Sequence, residues 1–158
     1  MPTWNADQYL QFAEERTRPC RDLVARIALE HPRRIIDLGC GPGNSTRVIA
    51  ARWPDARIAG LDSSPAMIEK ARTECPSCDW IADDIERWTG GADEPYDLVF
   101  SNAALQWVPD HPRLFPKLLQ RVAAGGALAV QMPGNWDSTA HNIMRNIAAR
   151  FPATEQVL

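Results

Sequence analysis

Three closely spaced glycines follow a short apolar run and form the segment of this sequence best suited to bind a ligand. The run occupies residues 34–38, and Gly39, Gly41 and Gly43 come directly after it. Glycines let the backbone turn sharply and let a ligand approach it closely, because no side chain stands in the way. Dinucleotide sites use Gly-x-Gly-x-x-Gly and phosphate loops end in Gly-Lys-Ser/Thr, and this loop has neither pattern. The spacing therefore predicts close backbone contact with another kind of ligand.

Carboxylates stand at the ends of the next two apolar segments. Asp62 lies 19 residues beyond Gly43, and Asp83 and Asp84 precede Ile85. A carboxylate at position 62 can accept hydrogen bonds from both hydroxyls of an adenosine ribose. An acid beside Ile85 can accept the adenine amino group while the isoleucine packs on the ring. Each acid also suits the N-terminal cap of a helix, so a structural role stays open, but three strand ends in order favour an adenosine ligand.

Four cysteines are present, and two of them have the Cys-x-x-Cys spacing of zinc sites and redox pairs. No second such pair and no histidine pair completes a zinc site around Cys75 and Cys78. The pair precedes a strand, whereas a redox motif opens a helix. We therefore expect reduced, buried or incidental thiols, with a functional pair as the alternative, and we predict no metal.

The elements that must position these residues follow from hydrophobic periodicity. Short apolar runs alternate with segments whose apolar residues recur every three or four positions, which favours an α/β fold with a doubly wound parallel sheet. We predict a short helix after Asn5 or Asp7 and a second helix that begins after Pro19 and is ended by Pro32. We predict strands at 34–38, 57–61, 80–81, 96–101 and 127–132, and further helices at 44–53, 65–74, 114–122 and 138–150.

Composition narrows the class of protein. The 158 residues are 45% hydrophobic and 23% charged, which matches one globular domain with its own core. A net charge of −3 lacks the basic excess that nucleic acids reward, so we expect no nucleic-acid partner. No apolar run approaches the roughly 20 residues of a membrane span, and the N-terminus lacks a signal sequence. A cytoplasmic protein is expected.

The glycine loop and its downstream acids resemble the class I methyltransferases that use S-adenosylmethionine. The segments that carry the resemblance are DLGCGPG at 37–43, GLDSS at 60–64, ADDI at 82–85 and YDLVFSN at 96–102. The resemblance runs from about residue 34 to 132 and implies a Rossmann-like sheet of seven strands.

A narrower resemblance covers nearly the whole chain. The segments at 4–10, 16–19, 43–46, 62–68, 104–111 and 130–136 are similar to the trans-aconitate 2-methyltransferase family. This resemblance implies transfer of a methyl group to a carboxylate of trans-aconitate, which gives a monomethyl ester and S-adenosylhomocysteine.

The resemblance also implies roles for cofactor-binding residues. Asp37 lies near the methionine amino group, directly or through water, or alternatively only ties down the glycine loop. Asp62 binds the ribose diol. The adenine-binding acid directly precedes Ile85, which favours Asp84 over Asp83 and leaves an ambiguity of one residue. The full implied set is Asp37, Gly39, Cys40, Gly41, Asp62, Ser63, Asp84, Ile85, Asn102 and Ala103.

The catalytic and substrate-binding assignments also come from the resemblance. Gln106 and Trp107 lie near the methyl group, where Trp107 attracts the sulfonium by a cation–π contact or instead serves as a core aromatic. Tyr9, Arg16 and Arg18 bind the acid, unless these arginines only pair with neighbouring acids. An acceptor carboxylate is already ionised near neutral pH, so no general base is expected.

Residues 1–33 are expected to form a helical segment over the site, and residues 34–158 the S-adenosylmethionine-binding domain. Only five of the family's seven strands can be placed, so we expect a C-terminally truncated domain with an exposed fifth-strand edge and leave the oligomeric state open.

Another small acid, an amine or a phenol as acceptor remains an alternative, as does a cofactor-binding fragment without activity. The early third glycine disfavours an NAD-dependent dehydrogenase.

Overall fold

Helices and strands alternate along the chain in the computed structural model, which describes residues 13–89, 91, 94–134 and 138–148. The helix predicted after Asn5 or Asp7 lies before residue 13, where the described part of the chain begins, except for any residues that it shares with the first helix given below. The strands are β1 (Arg34–Leu38), β2 (Arg57–Asp62), β3 (Asp79–Ala82), β4 (Tyr96–Asn102) and β5 (Val122–Gln131). The helices are α1 (Ala13–Arg26), α2 (Asn44–Arg52), α3 (Pro65–Glu74), α4 (Ile85–Thr89), α5 (His111–Gln120) and α6 (Thr139–Ala148), with a 3-10 turn at Leu105–Trp107.

All five strands are parallel and lie in the order β3-β2-β1-β4-β5. The strand order reverses at β1, which pairs with β2 on one side and with β4 on the other. The doubly wound α/β prediction is therefore confirmed. In such sheets, ligands bind outside the carboxyl ends of the strands at this reversal, so the loops after β1 and β4 flank the expected site.

The central strand β1 is buried on both faces, as its short apolar run predicts. Ile36 faces one core cluster together with Leu61 and Val99, and Ile35 faces the opposite cluster together with Leu98 and Phe100. All of these side chains are fully buried. The strand is therefore a rigid support for the glycine loop that follows it.

The start and end predicted for the helix around Pro19 are both wrong. Helix α1 runs through Pro19, which removes only one backbone donor, and the helix is kept in place by its buried side chains at Cys20 and Val24. It ends at Arg26, well before Pro32. The guanidinium of Arg52 donates to the carbonyl oxygens of Val24 and Ile27, so it ties the end of this helix to α2.

The elements near residues 111–131 also differ from the prediction. Helix α5 begins three residues earlier than expected, with Pro112 in its first turn, where a missing N–H costs nothing. Strand β5 begins at Val122, which pairs with Tyr96. The register then shifts at a bulge, where Gly125 has a φ of 78°. The short helix α4 was not predicted.

Both outer strands of the sheet are partly exposed among the described residues. β3 and β5 are the outer strands of the sheet formed by the described residues, and most β5 side chains are half-exposed. On α6, the large apolar side chains of Ile143, Met144 and Ile147 are each at least 50% exposed. None of the helices among the described residues is long and apolar enough to cross a membrane.

We expect Gly60→Ala to destabilise the fold. A Cβ at position 60 would stand 2.4 Å from the Trp80 ring and 3.0 Å from the Cys40 Sγ, so β2, β3 and the glycine loop would have to separate. Such overpacking costs about 1–3 kcal/mol. Urea unfolding measures the loss. Gly134→Ala is the control because its Cβ would meet nothing within 4 Å, and equal stabilities of the two variants would contradict the prediction.

Candidate functional site

The glycine loop after β1 has a backbone that other residues would adopt only with strain. Gly39, Gly41 and Gly43 have φ values of 72°, 54° and 88°, all in the left-handed region. A Cβ on Gly39 would lie 2.2 Å from the Cβ of Ala104, so the loop contacts the segment after β4 directly. A Cβ on Gly41 would meet nothing within 4 Å. The loop is therefore tightly packed at Gly39, whereas at Gly41 it leaves open space for a ligand.

Asp37 is fully buried in β1 and is held on one side by two hydroxyls. Its Oδ2 accepts hydrogen bonds of 2.6 Å from both the Ser45 Oγ and the Thr46 Oγ1, which lie in the first turn of α2. Its Oδ1 is buried and has no hydrogen-bond partner among the described residues. One carboxylate oxygen therefore has a structural role and the other is available to a donor. Sequence reasoning did not assign Ser45 and Thr46, although two hydroxyls at a helix start are a signal for such contacts.

Burial raises the pKa of Asp37 from 3.8 to about 6, the hydrogen bonds from Ser45 and Thr46 oppose the rise, and the charge of Asp62 adds to it. A cation placed near Oδ1 would favour the ionised carboxylate. The position is therefore suited to a positively charged group.

Asp62 connects the glycine loop to the start of α3. Its Oδ2 accepts a hydrogen bond of 2.9 Å from the Gly41 N–H, and its Oδ1 accepts one of 2.9 Å from the Ser64 N–H. Ser64 in turn caps α3 through its hydroxyl. Since an ionised carboxylate has about four acceptor positions, Asp62 retains acceptor capacity for a ligand. Ser63 is exposed beside it.

The two acids after β3 have different partners. Asp83 Oδ1 accepts from the Asp84 N–H and pairs with the Arg87 guanidinium, each at 2.8 Å. Asp84 Oδ1 accepts a 2.8 Å hydrogen bond from the Glu86 N–H at the start of α4. The helix-cap role left open by the sequence thus applies to Asp84, whose second oxygen has no such bond among the described residues. Ile85 is buried.

The last residue of β4 and the 3-10 turn after it bring two buried amide oxygens to the same edge of the sheet. Asn102 Oδ1 and Gln106 Oε1 are buried and have no hydrogen-bond partner among the described residues. Ala103 has a φ of 54°, and its carbonyl accepts a 2.7 Å bond from the Gln106 Nε2. Because β1 and β4 are neighbours, these oxygens lie at the same strand reversal as the glycine loop.

Of the aromatic and basic residues predicted at the site, the structure describes the side chains of Trp107 and Arg18, and both are exposed. Trp107 is 72% exposed, so it is not a core aromatic. Arg18 is an exposed residue of α1. The side chain of Arg16 and all of Tyr9 lie outside the described part of the chain.

Four carboxylates stand at the site among the residues described, and one of them, Asp83, is paired with Arg87. Asp37, Asp62, Asp83 and Asp84 stand at or beside the carboxyl ends of β1, β2 and β3. A site at which one sign of charge predominates favours ligands of the opposite sign. The described residues contain no group of three or more metal-ligating side chains that could hold a metal ion.

Comparisons of the sequence identify a family. Residues 12–157 match the family model described as a methyltransferase domain. The trans-aconitate 2-methyltransferase of Azoarcus sp. (strain BH72) is 50% identical over 97% of this chain and 60% of its own length. The enzyme of the same name from Klebsiella pneumoniae (strain 342) is 50% identical over 94% of this chain and 58% of its own length. The chain thus spans about 60% of the length of these curated relatives.

Comparisons of the structure give the same fold. The complex of the Haloferax volcanii Trm112 methyltransferase activator with a methyltransferase superposes with a TM-score of 0.69 at 21% identity, over 79% of this chain and 56% of that one. DesVI of Streptomyces venezuelae superposes with a TM-score of 0.68 at 17% identity, over 84% of this chain and 59% of that one. The fold is that of Rossmann-like class I methyltransferases.

The raised pKa of Asp37 predicts a pH dependence of stability. Because the folded state binds this proton more tightly than the unfolded state does, the contribution of Asp37 to the unfolding free energy falls as pH rises from about 4 to about 6. The total fall is about 3 kcal/mol. We expect urea unfolding of Asp37→Asn between pH 4 and 7 to lack this component. Parallel pH profiles for the variant and the unsubstituted protein would contradict the prediction.

Proposed function

The chain belongs to the methyltransferase domain family, and from that membership we propose that it binds S-adenosylmethionine and methylates a carboxylate of trans-aconitate. The product would be a monomethyl ester. The relatives' names and the geometry of the site support the proposal, and the buried, half-occupied carboxylate of Asp37 is the observation that carries it.

Asp37 fits the amino group of the cofactor. Its Oδ2 is already bound to Ser45 and Thr46, so the group is rigid, and its buried Oδ1 is the acceptor that still needs a donor. Buried polar atoms are rarely left without a partner. An ammonium donor would satisfy this oxygen and offset the desolvation of the charge. The open space beyond Gly41 leaves room for the methionine end of the ligand.

The adenosine end is assigned to the next two strand ends. We assign the ribose hydroxyls to Asp62, which the Gly41 and Ser64 N–H groups hold in place. We assign the adenine amino group to Asp84, because the Asp83 carboxylate is already paired with the Arg87 guanidinium, whereas the contact of Asp84 among the described residues is one backbone N–H on Oδ1. Ile85 at the start of α4 supplies an apolar surface near the ring. Ser63 completes the set through its backbone, and Cys40 through its place in the glycine loop, where its N–H donates to the Leu61 carbonyl.

The negative charge of the site distinguishes between cofactor classes. S-adenosylmethionine carries a sulfonium and an ammonium against one carboxylate, so its net charge is positive. A nicotinamide dinucleotide would bring its pyrophosphate to the glycine loop, next to the buried carboxylate of Asp37. Like charges in a partly buried site are unfavourable, so the dehydrogenase alternative is disfavoured on electrostatics as well as on glycine spacing.

The proposed reaction requires the protein mainly to align the acceptor carboxylate with the methyl group. S-adenosylmethionine, when bound, supplies a methyl group activated by its positive sulfur. The acceptor carboxylate is ionised near neutral pH, so no residue needs to act as a base. We propose that Asn102, Ala103 and Gln106 line the reaction side of the cofactor and that the Trp107 ring borders the acceptor. Positioning of this kind contributes roughly 7–11 kcal/mol to lowering a barrier.

A tricarboxylate acceptor requires local cations despite the acidic cofactor site. Arg18 on α1 is exposed and is the described residue that we assign to this role, together with Arg16 and Tyr9 from the same end of the chain. A guanidinium binds a carboxylate in a bidentate manner, which would orient the acid as well as attract it. The names of the relatives favour trans-aconitate. Another small acid, an amine or a phenol remains the alternative acceptor, and a cofactor-binding fragment without activity remains the alternative for the chain.

We expect trans-aconitate, incubated with the protein and methyl-labelled S-adenosylmethionine, to acquire a label that base releases as methanol. Arg18→Gln should raise the KM for trans-aconitate about tenfold or more, because one lost charged hydrogen bond is worth about 1.5–3 kcal/mol, while the Kd for S-adenosylhomocysteine stays unchanged. Arg26→Gln, also exposed and on the same helix, is the control. A base-stable product, or one formed only from amines or phenols, would exclude the ester. Binding of the cofactor without any methyl transfer would refute the proposed methylation and leave cofactor binding alone.

We expect Asp62→Ala to weaken the binding of S-adenosylhomocysteine at least tenfold in calorimetry, because the ribose acceptor and the Gly41 contact are lost together. Asp79→Ala is the matched control. Asp79 lies at the amino end of β3, away from the carboxyl strand ends that form the site, and it pairs with Arg57. An unchanged affinity of Asp62→Ala would refute the ribose assignment. Tight NAD binding without any response to the thioether would refute the cofactor.

A further inference from the structure

Two thiols outside the proposed cofactor site meet at the turn between α3 and β3. The Cys75 and Cys78 Sγ atoms are 3.2 Å apart, and both residues are free cysteines. The Cys78 N–H donates to the Cys75 carbonyl at 3.3 Å, so the four residues form a β-turn. Such a turn holds the first and last Cα atoms within about 7 Å, which is close to the separation that a disulfide spans. The geometry therefore allows a bond between them without refolding.

The turn is connected to the glycine loop through Trp80. The Trp80 Nε1 donates a 3.0 Å hydrogen bond to the Cys75 carbonyl. The far edge of the same ring would lie 2.4 Å from a Cβ on Gly60 and 3.0 Å from one on Gly43. Cys75 and Cys78 also pack at the edge of the cluster that contains Trp80 and Cys40. The indole is thus fixed at one end by the turn and at the other by the loop.

We propose that Cys75 and Cys78 are a reversible modification site, which low-molecular-weight disulfides of the glutathione type convert to an intramolecular disulfide, and that this bond weakens cofactor binding through Trp80. The effect on the cofactor rests on the function proposed above, whereas disulfide formation does not. The turn joins the end of a helix to a strand, so its thiols lack the helix N-terminus that activates oxidoreductase pairs. The pair is accordingly a target of thiol–disulfide exchange and not an oxidoreductase centre.

The exchange proceeds in two balanced steps. The Cys75 thiol loses its proton and attacks one sulfur of the small disulfide, which forms a mixed disulfide and releases one small thiol. The Cys78 thiol then loses its proton and attacks the Cys75 sulfur, which forms the intramolecular bond and releases the second small thiol. Two electrons pass from the protein to the reagent. Cys75 is assigned the first attack because burial, and then its contact with Cys75, raise the pKa of Cys78 to about 12.

The coupling to the cofactor requires that oxidation move the turn. The sulfurs have to approach from 3.2 Å to about 2.05 Å, and the Cys75 carbonyl that holds the indole belongs to the same turn. The ring has little free space because it already contacts Gly60 and lies against Gly43. A shift of the ring therefore displaces the glycine loop from the conformation that the ligand requires.

The test compares reduced protein with protein treated with oxidised glutathione. We expect two of the four thiols to disappear, with a mass loss of two hydrogens in the peptide that contains Cys75 and Cys78. Cys20 and Cys40 are buried and should stay reduced, since burial raises the pKa of both thiols. The Kd for S-adenosylhomocysteine should rise about three- to tenfold on oxidation and return after reduction. Oxidation at Cys20 or Cys40 instead, or four intact thiols, would overturn the site.

Two variants test the order of thiol attack and the coupling to the cofactor separately. Cys78→Ser should trap a glutathione adduct on Cys75, and an unmodified Cys75 would contradict the assigned order. Trp80→Phe keeps a ring but loses the hydrogen bond to Cys75, so oxidation should still occur with a smaller change in Kd. Equal Kd values for the oxidised and reduced unsubstituted protein would refute the coupling. No binding by reduced protein would instead refute the proposed cofactor, with the disulfide still scored by mass.

Discussion

The buried carboxylate of Asp37 is the constraint on which the rest of the site depends. A charge in the middle of a sheet is stable only when hydrogen bonds replace the water it has lost. The hydroxyls of Ser45 and Thr46 meet that need from the first turn of α2, so β1 and α2 are held together across the glycine loop. The left-handed glycines of the loop form the turn between these two elements. The unpaired Oδ1 then indicates that the ligand group beside it is positively charged.

Asp62 has a similar structural role at the end of the next strand, β2. Its carboxylate binds backbone N–H groups at both Gly41 and Ser64, so one side chain sets the glycine loop and the start of α3. These contacts hold a negatively charged site in place before any ligand arrives. Preorganised charge of this kind determines which ligands are favourable, and in this case it favours a cationic adenosine compound over a pyrophosphate. Packing of Trp80 against Gly43 and Gly60 supports the loop from the other side.

Sequence patterns predicted the sheet well where burial is continuous and less well elsewhere. The strands β1, β2 and β4 were placed within one residue, because apolar runs bounded by glycine or acids have few other interpretations. Helix α1 and strand β5 were misplaced. In α1, buried side chains such as Val24 outweigh the missing donor of Pro19. In β5, a bulge at Gly125 lets the strand begin well before the apolar run at its end.

The sequence by itself determined the α/β class, the location of the glycine loop and the acids that follow successive strands, because these depend on local periodicity and on glycine's backbone freedom. The tertiary structure decided which partners those acids have. Asp84 caps a helix while Asp83 pairs with Arg87, Trp107 is exposed, and Cys75 meets Cys78 across a turn. Such facts depend on distances through space and on side-chain direction. Residue types and spacing along the chain do not contain these quantities, so only the packed fold could supply them.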